Sequence, residues 1–168
     1  GEILSMVSLP DFDPNISIGE KFNRNTLGLY EFGSVMKTFT AAIGLEEKKF
    51  KINTKFEINK SIKVGKNRVS DSHPPCQNKF CSVEDIFSNS SNIGTIKMIR
   101  EIGTEYQKKY LNRLGLFDRV NLNLPELSSP LYPDIWRQVN TDSIAYGYGI
   151  SISPLHLALA TSTVLNGG

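Results

Sequence analysis

Residues 30–46, YEFGSVMKTFTAAIGLE, constrain the chain more than any other stretch. Gly33 supplies a tight bend, and apolar residues at Val35, Met36, Phe39, Ala42 and Ile43 recur at helical spacing. This predicts a helix from Ser34 to Glu46, with too few charges for a surface position and so mostly buried. Ser34 and Lys37 then share one face at its N-terminus. A serine hydroxyl attacks poorly until a base takes its proton. A lysine whose pKa is held down by burial and neighbours can take it. The helix N-terminus adds free N–H groups and positive dipole where negative charge would develop. The plain alternative is that Ser34 caps the helix and Lys37 snorkels to water.

Composition excludes several classes of function. At 168 residues, 39% hydrophobic and 21% charged, the chain suits one globular domain with a real core. A net charge of +2 gives no footing for a nucleic-acid partner. Seven lysines between Lys48 and Lys66 read as the solvated face of a small subdomain, because no aromatic interleaving accompanies them. No apolar run is long enough to span a bilayer. The opening GEILSMV carries no initiator methionine and no signal-peptide pattern, so the chain reads as a cut-out piece. Cys76 and Cys81, in a polar loop, fit either a small disulfide or two free thiols. His73 lies near them, but a fourth local ligand is missing and the spacing is unlike that of zinc knuckles; no metal and no cofactor are expected.

Taken in order, Ile3–Val7 reads as a buried strand, broken by the prolines and aspartates of Leu9–Asn15. Residues 16–26 read as polar and irregular, with a short helix beginning near Asn23. Phe56, Ile58, Ile62 and Val64 alternate around Asn59-Lys60-Ser61, which predicts a hairpin within 50–68. Ser82 and Asp85 form a capping-box pattern at a short helix ending by Asn89. Ile93, Ile96, Ile99 and Ile102 mark a further helix. Thr104 and Gln107 form a second capping pattern, at a helix with an apolar stripe of Tyr106, Tyr110, Leu111 and Leu114 that Gly115 stops. Phe117–Thr141 is long, proline-rich and irregular, a kind of connection that is often functional. AYGYGI at 145–150 predicts a tight turn close to other backbone, and Ser153-Pro154 starts a last helix. His73 and His156 read as a surface and a packed histidine.

Ser90 and Asn92 form the second constellation. On a helix they would diverge; in a loop they converge on one site. A second hydroxyl can relay a proton between Lys37 and a leaving amine. An asparagine amide can hold both the lysine and a substrate amide. Capping chemistry alone also explains Ser-Ser-Asn before a helix. The order and spacing of the two motifs match a known pairing, serine-x-x-lysine followed by serine-x-asparagine.

The chain resembles the transpeptidase domain of the class B penicillin-binding proteins, especially the septal cell-division type. The resemblance rests on GEILSMVSLPDFDPN, YEFGSVMKTFTAAIGLE, DSHP with VEDIFSNSSNIG, and AYGYGISISPLHLALA, in that order over nearly the whole chain. It implies an α/β fold, the penicillin-binding-protein/β-lactamase-like transpeptidase fold. Residues 1–168 would be part of that domain and mostly helical, because most of its antiparallel sheet is absent from them. By the same resemblance Ser34 is the acylated nucleophile, Lys37 its general base, and Ser90 and Asn92 complete the proton-transfer and substrate-binding network. The implied substrates are peptidoglycan stem peptides, with β-lactams acylating Ser34 as mimics. The implied setting is the cytoplasmic membrane of a bacterium, the domain facing the periplasm among cell-division membrane proteins. That compartment would permit a Cys76–Cys81 disulfide.

Two departures stand out. Phe32 occupies a position where the family usually has proline. The lysine-threonine-glycine motif, which the family carries on a later strand together with the second oxyanion donor, is absent from these residues. The expectation is that this piece alone is catalytically impaired and tends to self-associate through exposed apolar surface. A β-lactamase-like enzyme or β-lactam sensor would share the first motif, and a non-catalytic scaffold of the division machinery remains the third reading.

Overall fold

A computed structural model describes residues 2–11, 13, 15–16 and 21–167. Phe12 and Pro14 of the expected break, and residues 17–20 of the expected irregular stretch, lie outside the described residues. The architecture is α/β, dominated by helices. A 3-10 turn Gly33–Met36 leads into α1 (Lys37–Glu46). Then come β1 (Lys55–Glu57), β2 (Ile62–Val64), β3 (Asn67–Val69), β4 (Phe80–Ser82), α2 (Val83–Ser88) and α3 (Asn92–Ile102). After these follow α4 (Thr104–Arg113), α5 (Gln138–Ala145) and α6 (Pro154–Leu165). Among the described residues, no helix is long and apolar enough to cross a membrane.

The chain divides into two compact units. One contains residues 32–111 and 133–149. Its core gathers Ala41 and Ile43 of α1, Val83 and Ile86 of α2, and Met98, Ile99 and Ile102 of α3, with Phe50 and Ala145. The isoleucine stripe of α3 is a buried face, and of the stripe read around α1 Met36, Phe39 and Ile43 are buried, whereas Ala42 is half-buried and Val35, in the 3-10 turn, is exposed. Phe50 and Phe56 meet edge to face, with ring centroids 5.8 Å apart, a favourable quadrupolar arrangement. The buried Asp142 of α5 takes Nε and Nη2 of Arg100 at 3.1 and 2.6 Å, and Arg100 Nη2 also donates to the Lys63 carbonyl at 2.8 Å. One guanidinium thereby joins α3, α5 and β2.

The hairpin is not where alternation placed it. β1 pairs antiparallel with β4, Phe56 opposite Cys81, while β2 pairs with β3 across Gly65-Lys66. Alternation identifies strands but not partners, and the long-range partner wins because it buries Phe56 against the core. Cys76 and Cys81 are joined by a disulfide. The second capping pattern is also corrected. Thr104 Oγ1 bonds Thr141 Oγ1 at 2.8 Å, and Gln107 Nε2 donates to the Thr141 carbonyl at 3.0 Å, so these side chains tie α4 to α5.

The other unit contains residues 1–31, 112–132 and 150–168. Ile3–Val7 forms no ladder among the described residues, and Leu4 and Val7 are exposed. A strand exists only with a partner to share its backbone hydrogen bonds. Asn23–Leu27 closes a single turn rather than a helix, its Leu27 N–H donating to the Asn23 carbonyl at 2.8 Å. Ser153 caps α6, with proline in the first turn, as the sequence predicts. His156 is buried. Its Nε2 lies 2.9 Å from the Asp118 carbonyl and its Nδ1 2.7 Å from Ser153 Oγ. A carbonyl only accepts, so Nε2 carries the proton, and neutral Nδ1 accepts from the serine.

Burial pushes the His156 imidazole down from its ordinary value near 6.5, against the opposing pull of the Asp118 carbonyl. The folded state thus prefers the neutral ring. Its stabilising contribution is present above the unfolded value and is lost progressively as pH falls from there through the lower folded value. Comparing urea midpoints at about pH 7.5 and about pH 5.5, we expect the wild-type protein to lose more stability on acidification than His156→Gln. Equal losses would show that the ring does not titrate on unfolding.

Candidate active site

The site lies within the unit formed by residues 32–111 and 133–149. Ser34 is exposed in the 3-10 turn, and Lys37 opens α1 one turn later. In a 3-10 turn the side chains at i and i+3 eclipse, so this start places the two residues over one another. Gly33 has φ +55°, and its N–H donates to the Gly147 carbonyl at 3.1 Å. Gly147, at φ +109°, lies so close that a Cβ there would sit 1.8 Å from the Gly33 carbonyl oxygen. The expected close approach of AYGYGI to other backbone is therefore an approach to the turn that carries Ser34.

Lys37 is only 3% exposed. It does not snorkel. Its Nζ donates to Ser90 O at 2.6 Å, Ser90 Oγ at 3.0 Å and Asn92 Oδ1 at 2.7 Å. These three acceptors match the three N–H donors of an ammonium. Burial pushes the lysine down to about 8, with the Asp71 carboxylate pulling the other way. A lysine so poised can lose a proton near neutral pH, and the neutral amine then has a lone pair within reach of the Ser90 hydroxyl.

The structure brings Lys37, Ser90 and Asn92 together from positions more than fifty residues apart. Ser-Ser-Asn divides between capping and contact with Lys37, on different residues. Ser91 is the cap of α3, its Oγ accepting from the Gly94 N–H at 2.9 Å. Ser90 precedes it with φ +53°, a left-handed conformation that non-glycine residues seldom adopt. That conformation turns both its carbonyl and its hydroxyl onto Lys37. His73 is exposed in the loop and bonds the Ser72 hydroxyl at 3.0 Å.

Sequence reasoning assigned no role to Asp71. Its Oδ1 accepts from the Asn92 and Ile93 N–H groups at 2.6 and 3.0 Å, and its Oδ2 from Ser91 Oγ at 2.6 Å. The only available signal was its place in the DSHP stretch, where an aspartate among serines and prolines reads as a turn former.

Residues 1–168 match the family described as the penicillin binding protein transpeptidase domain. The chain belongs to that family. It is 36% identical over 172 residues to the probable peptidoglycan D,D-transpeptidase FtsI of Caulobacter vibrioides, covering 100% of this chain and 29% of that protein. Among solved structures, penicillin-binding protein 3 of Mycobacterium tuberculosis, complexed with aztreonam, superposes with a TM-score of 0.78 at 25% identity, over 87% of this chain and 33% of that one. Penicillin-binding protein A of M. tuberculosis, a ceftriaxone acyl-enzyme complex, reaches a TM-score of 0.89 over 100% of this chain and 43% of that one. At 19% identity the latter likeness shows the fold alone. The chain spans under a third of the length of the curated penicillin-binding relatives it matches.

Proposed function

We propose that residues 1–168 are part of a transpeptidase domain that cross-links peptidoglycan stem peptides through an acyl-enzyme on Ser34. The observation that carries this reading is the buried Lys37, held by Ser90 and Asn92 one turn from an exposed serine. Ser34 Oγ attacks the carbonyl of the penultimate D-alanine while neutral Lys37 accepts its proton. The proton passes through the Ser90 hydroxyl to the leaving amine of the terminal D-alanine. The amine of a neighbouring stem then attacks the ester, the new amide forms as the C–Oγ bond breaks, and the proton the amine loses returns through Ser90 and Lys37 to Ser34 Oγ. Asn92 orients Lys37 through Oδ1 and presents its amide to the substrate peptide. A β-lactam follows the first half of this path and stops at the ester. The family membership and the septal-type relative support a place in the bacterial envelope and in cell division, beside membrane-bound division proteins.

A hydrolase would need a carboxylate free to activate water at the ester. Among the described residues, Asp71 is the carboxylate whose charge bears on Lys37, and both its oxygens are occupied by the first turn of α3. Asp71 is thus engaged in holding the start of α3. The test is intact-mass analysis of the full-length protein after incubation with a penicillin. One persistent adduct mapping to the peptide that contains Ser34, and absent in Ser34→Ala, is the expected outcome. An unmodified wild-type protein would overturn the reading, leaving a hydrolase if the penicillin is consumed and a scaffold if it stays intact.

A further inference from the structure

We propose that Asp71 is a positioning residue for acylation: its carboxylate clamps the first turn of α3 and so holds Ser90 and Asn92 in register with Lys37. The proposal rests on the acyl-enzyme reading above. Among the described residues, Asp71 bonds neither Ser34 nor Lys37, and its three hydrogen bonds go to Ser91, Asn92 and Ile93. Two of these are backbone N–H groups that an α-helix start leaves without intrahelical partners. The third is the hydroxyl of the cap itself. A carboxylate at this place also complements the positive end of the helix.

The need for a clamp comes from Ser90. Its left-handed backbone persists only where the surroundings over-determine it. From one side α2 supplies that constraint, with Ser90 N–H donating to the Phe87 carbonyl at 3.1 Å and Ser91 N–H to the Ile86 carbonyl at 2.9 Å. From the other side the constraint is Asp71. Between them lie the two residues that Lys37 grips. Losing the carboxylate frees the backbone of Asn92, whose Oδ1 is one of three acceptors on the lysine. The charge has a second effect, since it favours the ammonium form of Lys37.

The experiment measures the second-order rate of acylation by a fluorescent penicillin against pH, in the full-length protein, for wild type, Ser34→Ala, Asp71→Asn and Asp71→Glu. For Asp71→Asn we expect a fall of about 10- to 100-fold, since a misplacement of about 1 Å costs about 10²-fold. Its pH midpoint should also lie below that of wild type, because the residue holding up the ammonium form is gone. Asp71→Glu keeps the charge, so its midpoint should stay with wild type while its rate falls. An Asp71→Asn protein matching wild type in rate and midpoint overturns the proposal. So does a slowed one with an unmoved midpoint, or one unfolded by circular dichroism, since either makes Asp71 a residue of the fold alone. A wild type that takes no label, by contrast, sinks the acyl-enzyme reading itself.

Discussion

Lys37→Met is expected to slow acylation of Ser34 by about 10²- to 10⁴-fold, the usual contribution of a positioned general base. That is about 3–5 kcal/mol of barrier. Methionine keeps a flexible, unbranched chain, so it should occupy the buried slot without leaving a large void. It removes the lone pair, and it leaves the Ser90 carbonyl and Asn92 Oδ1 without their donor. Lys37→Arg should fare no better, because a guanidinium stays protonated and cannot act as a base. In wild type the rate should climb with pH through about 8, where the buried lysine gives up its proton, and then level off. Stopped-flow measurement with a chromogenic or fluorescent β-lactam reads both effects. A Lys37→Met protein within a factor of about three of wild type would remove the lysine from the chemistry.

The second large effect is expected from a residue with no functional group. Gly147→Ala places a methyl 1.8 Å from the Gly33 carbonyl oxygen, where backbone faces backbone and neither side chain can swing away. The residue also sits at φ +109°, which alanine tolerates poorly. We expect a loss of about 3 kcal/mol or more, combining backbone strain with overpacking. Acylation should fall too, because the hydrogen bond from Gly33 N–H to Gly147 sets the turn under Ser34. Gly149→Ala is the control. It carries φ +89°, but its added methyl would meet Ile144 at an ordinary 3.6 Å. It should show only the strain, about 1–3 kcal/mol. Thermal melts of the two variants separate the contributions, and equal melts would mean the contact with Gly33 relaxes freely.

The parts of the molecule legible from residue order alone are those governed by neighbours a few positions away. The capping box at Ser82 and Asp85 is one, with Ser82 Oγ accepting from the Asp85 N–H at 3.0 Å and Asp85 Oδ2 taking the Ser82 N–H at 2.9 Å. The Ser153-Pro154 start of α6 and the isoleucine stripe of α3 are others. Serine and lysine three apart also fall into this class, because helical geometry alone brings them to one face. The composite motif pattern extended that reach, since motif order carries family information that no single spacing holds.

What escaped were contacts made at long range. Helix α5 went unread because Asn140, Thr141 and Ser143 give it weak propensity and no apolar stripe. Its place is set instead by Arg100 and Gln107 reaching in from α3 and α4. The pairing of β1 with β4 spans more than twenty residues, and local alternation pointed to β2. Asp71 looks like a turn residue until folding carries it to the first turn of α3, about twenty residues on in the chain. Local order thus placed Ser34 and Lys37 on one face, because hydrogen bonding and side-chain facing within a helix depend on spacing. Only tertiary structure could hold Lys37 on Ser90 and Asn92 and lower its pKa, because desolvation and converging acceptors come from chain segments that meet only on folding.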